Sequence, residues 1–104
     1  MPDRPLNTRP EVLALNDDLD IFAISRLWDQ LLRFCREATG DPVLELSGVA
    51  DLDLCGMQAL LVLDQDCQAR GVRLVLAGLR DEHRERMQDL GFPNFGAEGE
   101  ASHG

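Results

Sequence analysis

The chain has 104 residues, of which 44% are hydrophobic and 28% charged, and its net charge is −9 at neutral pH. This length suits one small domain with a single modest core. Nucleic acids and anionic membrane surfaces both attract Lys and Arg, so an acidic chain is poorly suited to bind either. The charge favours a protein partner with basic groups, or serves solubility alone.

Both ends of the sequence lack the periodic apolar pattern of helices and strands. Residues 1–10 are rich in proline and residues 93–104 in glycine. We therefore expect a flexible leader and a flexible tail around a domain at residues 11–92. The leader has no apolar run typical of a signal peptide, and the longest apolar run, Ala59 to Leu63, is too short to cross a membrane. We expect a cytoplasmic protein without direct membrane insertion.

The three cysteines, Cys35, Cys55 and Cys67, lie within apolar helical patterns. Their number is odd and their spacing does not match a zinc framework, so we interpret them as free thiols in a reducing cytoplasm. Cys55 lies at a helix start, where thiols can be reactive, but the sequence ties no histidine base to it. Because no catalytic constellation is present, the sequence predicts no enzymatic activity, no metal and no cofactor.

The first part of the domain predicts a hairpin and a long helix. Residues 11–22 place apolar side chains on both sides of Asn16-Asp17-Asp18, which is typical of two strands joined by a turn. Residues 23–40 repeat apolar side chains at steps of three and four, which predicts an amphipathic helix that ends at Gly40.

The rest of the domain alternates strands and helices. Short strands are predicted within residues 42–49 and 72–78, and an amphipathic helix within residues 80–92. Between the strands, a helix is predicted from Leu54 to Ala69, with Asp53 as its N-cap. Because strands and helices alternate, we expect an α/β fold with a mixed, mostly parallel β-sheet and helices packed mainly on one face.

Four motifs in this order resemble the STAS domain, a fold shared by anti-sigma factor antagonists and the tails of sulfate transporters. The motifs are ELSGV (residues 45–49), DLCG (53–56), RGV (70–72) and MQDLGF (87–92). The resemblance covers about residues 11–92 and implies the STAS fold and a non-catalytic interaction module. The run GMQALL most resembles stand-alone STAS proteins of chemotaxis operons and the STAS subunit of the Mla lipid transporter.

In phosphorylated members of that family, the acceptor Ser or Thr directly follows the capping Asp. That position is Leu54 here, and no Ser or Thr occurs between Ser47 and Ser102. The resemblance therefore implies a module without the usual phosphorylation switch, with Asp53 and Gly56 kept as the helix cap of the family motif.

The start of the long helix is the predicted partner-binding site. If Leu60, Leu63 and Cys67 face the sheet, a second stripe of the same helix is partly exposed, and exposed apolar residues often mark an interaction site. The alternative is that a neighbouring loop buries this stripe. The predicted partner-binding residues are Leu54, Met57, Gln58 and Leu61.

Three functions remain open at this point. The first is an adaptor in chemosensory or anti-sigma-type bacterial signalling. The second is an accessory subunit of an ABC-type lipid-asymmetry transporter, and the third is a nucleotide- or small-ligand-binding module. The corresponding protein partners are a kinase-like anti-sigma factor, a chemosensory protein or a transporter ATPase, and a homodimer is a further alternative.

Overall fold

Three strands alternate with three helices in the computed structural model, which describes residues 11–92. The elements are β1 (Val12–Ala14), α1 (Ile21–Glu37), β2 (Val43–Glu45), α2 (Leu54–Ala69), β3 (Val75–Ala77) and α3 (Asp81–Asp89). This alternation confirms the predicted α/β class. The predicted leader and tail lie outside the described residues.

The sheet is parallel throughout the described part of the chain. Its strand order is β1-β2-β3, and Val12 pairs with Val43, which pairs with Val75 on its other side. Parallel strands need a crossover between them, and α1 and α2 provide these crossovers. The mostly parallel sheet that the sequence predicts is therefore confirmed.

The predicted antiparallel hairpin at residues 11–22 is wrong. Leu19 forms only an isolated parallel bridge, to Leu52, and Ile21 already belongs to α1. Asp20 has an extended backbone, and its carboxylate accepts a hydrogen bond from the Ala23 N–H at 2.9 Å. This N-cap satisfies a free amide of the first helical turn, so Ile21 and Phe22 join a helix instead of a strand.

The core lies between the sheet and the two long helices, which pack against each other. Leu60, Leu63 and Cys67 are fully buried, which confirms that this stripe of α2 faces inward. Leu31 and Cys35 are the matching core residues of α1. These contacts fix the position of α2 and so determine which of its side chains remain outside.

Hydrogen bonds from two arginines join the two long helices at the end opposite the start of α2. Arg36 donates from Nε and Nη2 to the two carboxylate oxygens of Asp66, at 3.2 and 3.0 Å. Arg70 donates from Nη2 to the Cys35 carbonyl oxygen at 3.1 Å. The hydrogen bond from Arg36 holds the pKa of Asp66 below its ordinary value, so this carboxylate stays charged at neutral pH.

Candidate interaction surface at the start of α2

The starts of α1 and α2 are joined by the bridge between Leu19 and Leu52. The Leu19 N–H donates to the Asp51 carbonyl oxygen at 2.9 Å, and the Asp53 N–H donates to the Leu19 carbonyl oxygen at 3.3 Å. One residue after the bridge, Asp20 caps α1 and Asp53 caps α2. The two helices therefore begin side by side, each two residues past the bridged pair.

The first turn of α2 is held against this junction. The Asp53 carboxylate accepts a hydrogen bond from the Gly56 N–H at 3.0 Å, which is ordinary N-cap geometry. A Cβ built on Gly56 would lie 2.8 Å from Leu52 Cδ1 and 2.9 Å from Leu19 Cβ, and would also meet the Leu19 carbonyl oxygen. Glycine thus allows α2 to approach the Leu19 backbone closely.

The structure places three of the four candidate partner-binding residues at least partly outside the core. Leu54, the first residue of α2, is 46% exposed. Gln58 lies one turn later and is exposed, whereas Leu61 is half-buried and packs against the core. The helix start consequently offers one accessible leucine and one accessible amide to a partner.

Met57 differs from the other candidates because its side chain is fully buried at 0% exposure. The expectation that it lies on an exposed stripe with Leu54 is wrong. Met57 belongs to the core cluster together with Leu19 and Leu52, the residues below the first turn of α2. The close packing at Gly56 draws this turn inward, so Met57 supports the surface and is not part of it.

Sequence reasoning missed three exposed apolar residues near this surface. Val62 is 47% exposed and follows Gln58 by four residues, a spacing that places both on one side of α2. Ile21 and Phe22 are 53% and 77% exposed at the start of α1. The cap signal of Asp20 would have revealed the latter pair, because residues after an N-cap begin a helix.

The exposed side of α2 carries no charged residue among the residues that the structure describes. We call it the outer face of α2, and it comprises Leu54, Gln58, Val62, Gln65, Gln68 and Ala69. Of the two acidic residues of this helix, Asp64 is buried, and Asp66 is partly buried at the edge of this face, where it pairs with Arg36 and Arg70. The exposed side of α1, by contrast, carries Arg26, Asp29, Arg33, Arg36 and Glu37.

Buried Asp64 has a structural role at the far end of α2. One of its oxygens accepts from Gln68 Nε2 at 2.7 Å, and the other accepts from the Leu74 N–H at 3.3 Å. Arg73 Nε lies 3.9 Å from that second oxygen. Both carboxylate oxygens are thus engaged in holding the segment that leads into β3.

Two of the three thiols, Cys35 and Cys67, and the described histidine are buried. Burial raises the pKa of the Cys35 thiol to about 12, and the neighbouring Cys67 raises it further. Burial also raises the pKa of Cys67, so both groups remain protonated at neutral pH. His83 is buried on α3, where its Nε2 finds no hydrogen-bond partner among the described residues.

Residues 11–92 contain no cluster of three or more His, Cys, Asp or Glu side chains that could hold a metal ion. Within the same residues, no helix has both the length and the apolar character required to cross a membrane. The described surface combines the uncharged outer face of α2 with exposed apolar residues at the starts of α1 and α2. Such a surface is suited to binding another macromolecule.

Comparison with known proteins agrees with this architecture. The family model for the STAS domain matches residues 2–99. A search of curated proteins found no match. STAS domains are in general signalling or interaction modules and not enzymes. Because the matched segment spans almost the whole sequence, the chain belongs to the STAS domain family.

Proposed function

We propose that this protein is a bacterial signalling adaptor that binds a partner protein through the outer face of α2. The observation that carries the proposal is the absence of charge from that face, in a chain with a net charge of −9. Charged residues are depleted from the centres of protein interfaces, because burying an unpaired charge is costly. Leu54, Gln58 and Val62 would form the centre of the contact, and half-buried Leu61 would border it.

Leu54 makes the proposed contact constitutive. It occupies the first position after the capping Asp53. Phosphorylated STAS domains carry their acceptor Ser or Thr at the corresponding position. A phosphate there would add about 1.5–2 negative charges to the interface. Leucine cannot accept phosphate, so this chain would bind its partner without that form of release.

Two partner classes fit a STAS adaptor of this kind. A kinase-like anti-sigma factor or a chemosensory protein would place the chain in signalling, which is the function proposed here. An ATPase of an ABC-type lipid transporter would place the same surface in transport. The outer face of α2 suits either partner, because it has no charge to select between them.

Isothermal titration of the purified chain against these three candidate partners (the anti-sigma factor, the chemosensory protein and the transporter ATPase), taken from the same genome, tests the proposal. We expect one protein to bind, and we expect Leu54→Ser and Val62→Ser to weaken binding at least about fivefold, equivalent to ~1 kcal/mol. Leu90→Ser is the matched control, since Leu90 is 53% exposed at the end of α3.

Binding to the ATPase alone would replace signalling with transport as the function of the surface. Binding by none of the three proteins would overturn the proposal. Equal affinity of the Leu54, Val62 and Leu90 variants would overturn the assignment of the contact to α2.

A further inference from the structure

An apolar patch at the starts of both long helices shares Leu54 with the outer face of α2 and extends beyond it onto α1. We call Ile21, Phe22 and Leu54 the helix-start patch, and their exposed fractions are 53%, 77% and 46%. Phe22 has the largest exposed fraction of the large hydrophobic residues in the described part of the chain. A partner that covers a phenylalanine exposed to this extent removes a large apolar area from water, which favours binding at this position.

The three side chains share one edge of the fold because of the bridge between Leu19 and Leu52. The bridge is parallel, so Ile21 and Leu54 each lie two residues beyond it in the same direction. Neighbouring parallel strands lie about 4.8 Å apart, which keeps the two helix starts close together. Phe22 extends the patch along the first turn of α1.

Carboxylates border this patch. Asp17, Asp18 and Asp51 are exposed beside the junction, and Asp18 Oδ1 accepts a hydrogen bond from the Asp51 N–H at 3.1 Å. Three arginines also lie at this edge of the sheet: Arg26 pairs with Asp17 at 3.1 Å, Arg86 donates to the Leu52 carbonyl oxygen at 3.4 Å, and Arg80 donates to the Ser47 carbonyl oxygen at 3.3 Å. With the capping Asp20 and Asp53 included, negative charge is in excess around the apolar centre.

The acidic border decides which occupant fits the patch. Like charges repel, so the border would repel a second copy of this chain, whose net charge is −9. A different partner with basic groups matches the border in charge.

We propose that the helix-start patch docks a basic amphipathic segment of a partner protein, with its apolar side chains on Phe22 and Leu54 and its Arg or Lys residues against the carboxylate border. The inference rests on the proposed function, because it adds the chemistry of the partner to an adjoining part of the same surface. Apolar contact supplies affinity at the centre, and opposite charge at the rim supplies orientation and faster association.

Three 18-residue helical peptides serve as probes. The first carries Leu and Phe on one face and Arg on the other. The second replaces every Arg with Glu, and the third keeps Arg but replaces Leu and Phe with Gln. Each is titrated into the isotopically labelled chain, with the affinity and the shifted amide resonances read from the same NMR spectra.

We expect the first peptide to bind at least about tenfold more tightly than either control, a difference of ~1.4 kcal/mol. The shifts should centre on Phe22 and Leu54, and added salt should weaken the affinity. Phe22→Ser should weaken binding at least about threefold without changing the melting temperature, because Phe22 has few packing contacts to lose. Leu90→Ser should bind like the unchanged chain.

Equal binding of the third peptide would show charge attraction alone and overturn the proposal. Equal binding of the second peptide would overturn the basic partner but leave the proposed function intact. Amide resonances that shift only at Val62 and Gln65 would place docking on the outer face of α2 alone. That result would also overturn the helix-start patch as the docking site, but it would be consistent with the proposed function. Binding by none of the three peptides would likewise overturn the inference that the patch docks a basic amphipathic segment.

Discussion

Leu19 pairs with Leu52 in a single parallel bridge, and both residues are almost completely buried. The residue after each member of the pair caps a long helix, so one contact between two loops sets the starting points of α1 and α2. Because of this bridge, the exposed residues Ile21, Phe22 and Leu54 lie at the same edge of the fold.

The close packing at this junction predicts the effect of adding a methyl group to Gly56. Alanine is favoured over glycine within helices by up to about 1 kcal/mol. The clash with Leu19 and Leu52 opposes that gain, so we expect Gly56→Ala to destabilise the protein by about 1–3 kcal/mol net in urea denaturation. Gly40→Ala is the control, because a Cβ there meets nothing within 4 Å. A Gly56→Ala variant as stable as Gly40→Ala would contradict the packing described here.

The two N-caps should contribute separately to stability. We expect Asp20→Ala and Asp53→Ala each to lower the free energy of unfolding by about 0.5–2 kcal/mol, because each leaves a first-turn amide without its acceptor. Substitution by Asn should recover most of the loss, since the amide oxygen can accept the same hydrogen bond. An unchanged denaturation midpoint in both alanine variants would exclude a capping contribution.

Met57 and Gln58 are adjacent in sequence but should differ sharply in their mutational cost. Met57→Ala removes a fully buried side chain and should cost about 2–5 kcal/mol. Gln58→Ala changes an exposed position and should stay within about 0.5 kcal/mol of the unchanged chain. Thermal and urea denaturation of both variants measure this difference. Similar costs would contradict the inward orientation of Met57.

Alkaline pH should destabilise the fold through its buried thiols. Their pKa is raised in the folded state, Cys35 to about 12, so the folded chain keeps protons that the unfolded chain has lost above pH ~9. The stability that the protonated thiols contribute is therefore fully present below pH ~9, and this contribution is lost as the pH rises toward about 12. No lysine or tyrosine side chain titrates in this window, because the chain contains neither.

Urea denaturation from pH 8 to pH 11 measures this effect. Cys35→Ala lowers the overall stability by leaving a small cavity, but the decline of its stability with pH should be shallower than in the unchanged chain. An equally steep decline in the variant would show that Cys35 does not cause it.

The sequence predicted α2 closely because its signals are local and consistent. Asp53 marks the start, and apolar residues at steps of three and four mark the buried side. The structure gives this helix the predicted bounds, Leu54 to Ala69. The direction in which Met57 points could not be read in this way, because it depends on how closely Gly56 approaches the Leu19 backbone.

The start of α1 was predicted incorrectly because two local signals compete there. Ile21 and Phe22 favour a strand, and the preceding turn residues suggested a hairpin. The cap at Asp20 and the non-local bridge to Leu52 favour a helix, and the bridge leaves no periodic signal in the sequence. The cap signal of Asp20 could have placed Ile21 and Phe22 on a helix, but their position beside Leu54 follows only from the bridge.

In the proposed function, Leu54 provides a constitutive partner contact in place of a switchable hydroxyl. Leu54→Asp tests it directly, because a negative charge in the first turn of α2 favours the helix dipole while opposing an apolar interface. We expect an unchanged or higher melting temperature, and at least about tenfold weaker binding to the partner in isothermal titration. Leu90→Asp should bind normally. Undiminished binding by a folded Leu54→Asp variant would contradict the claim.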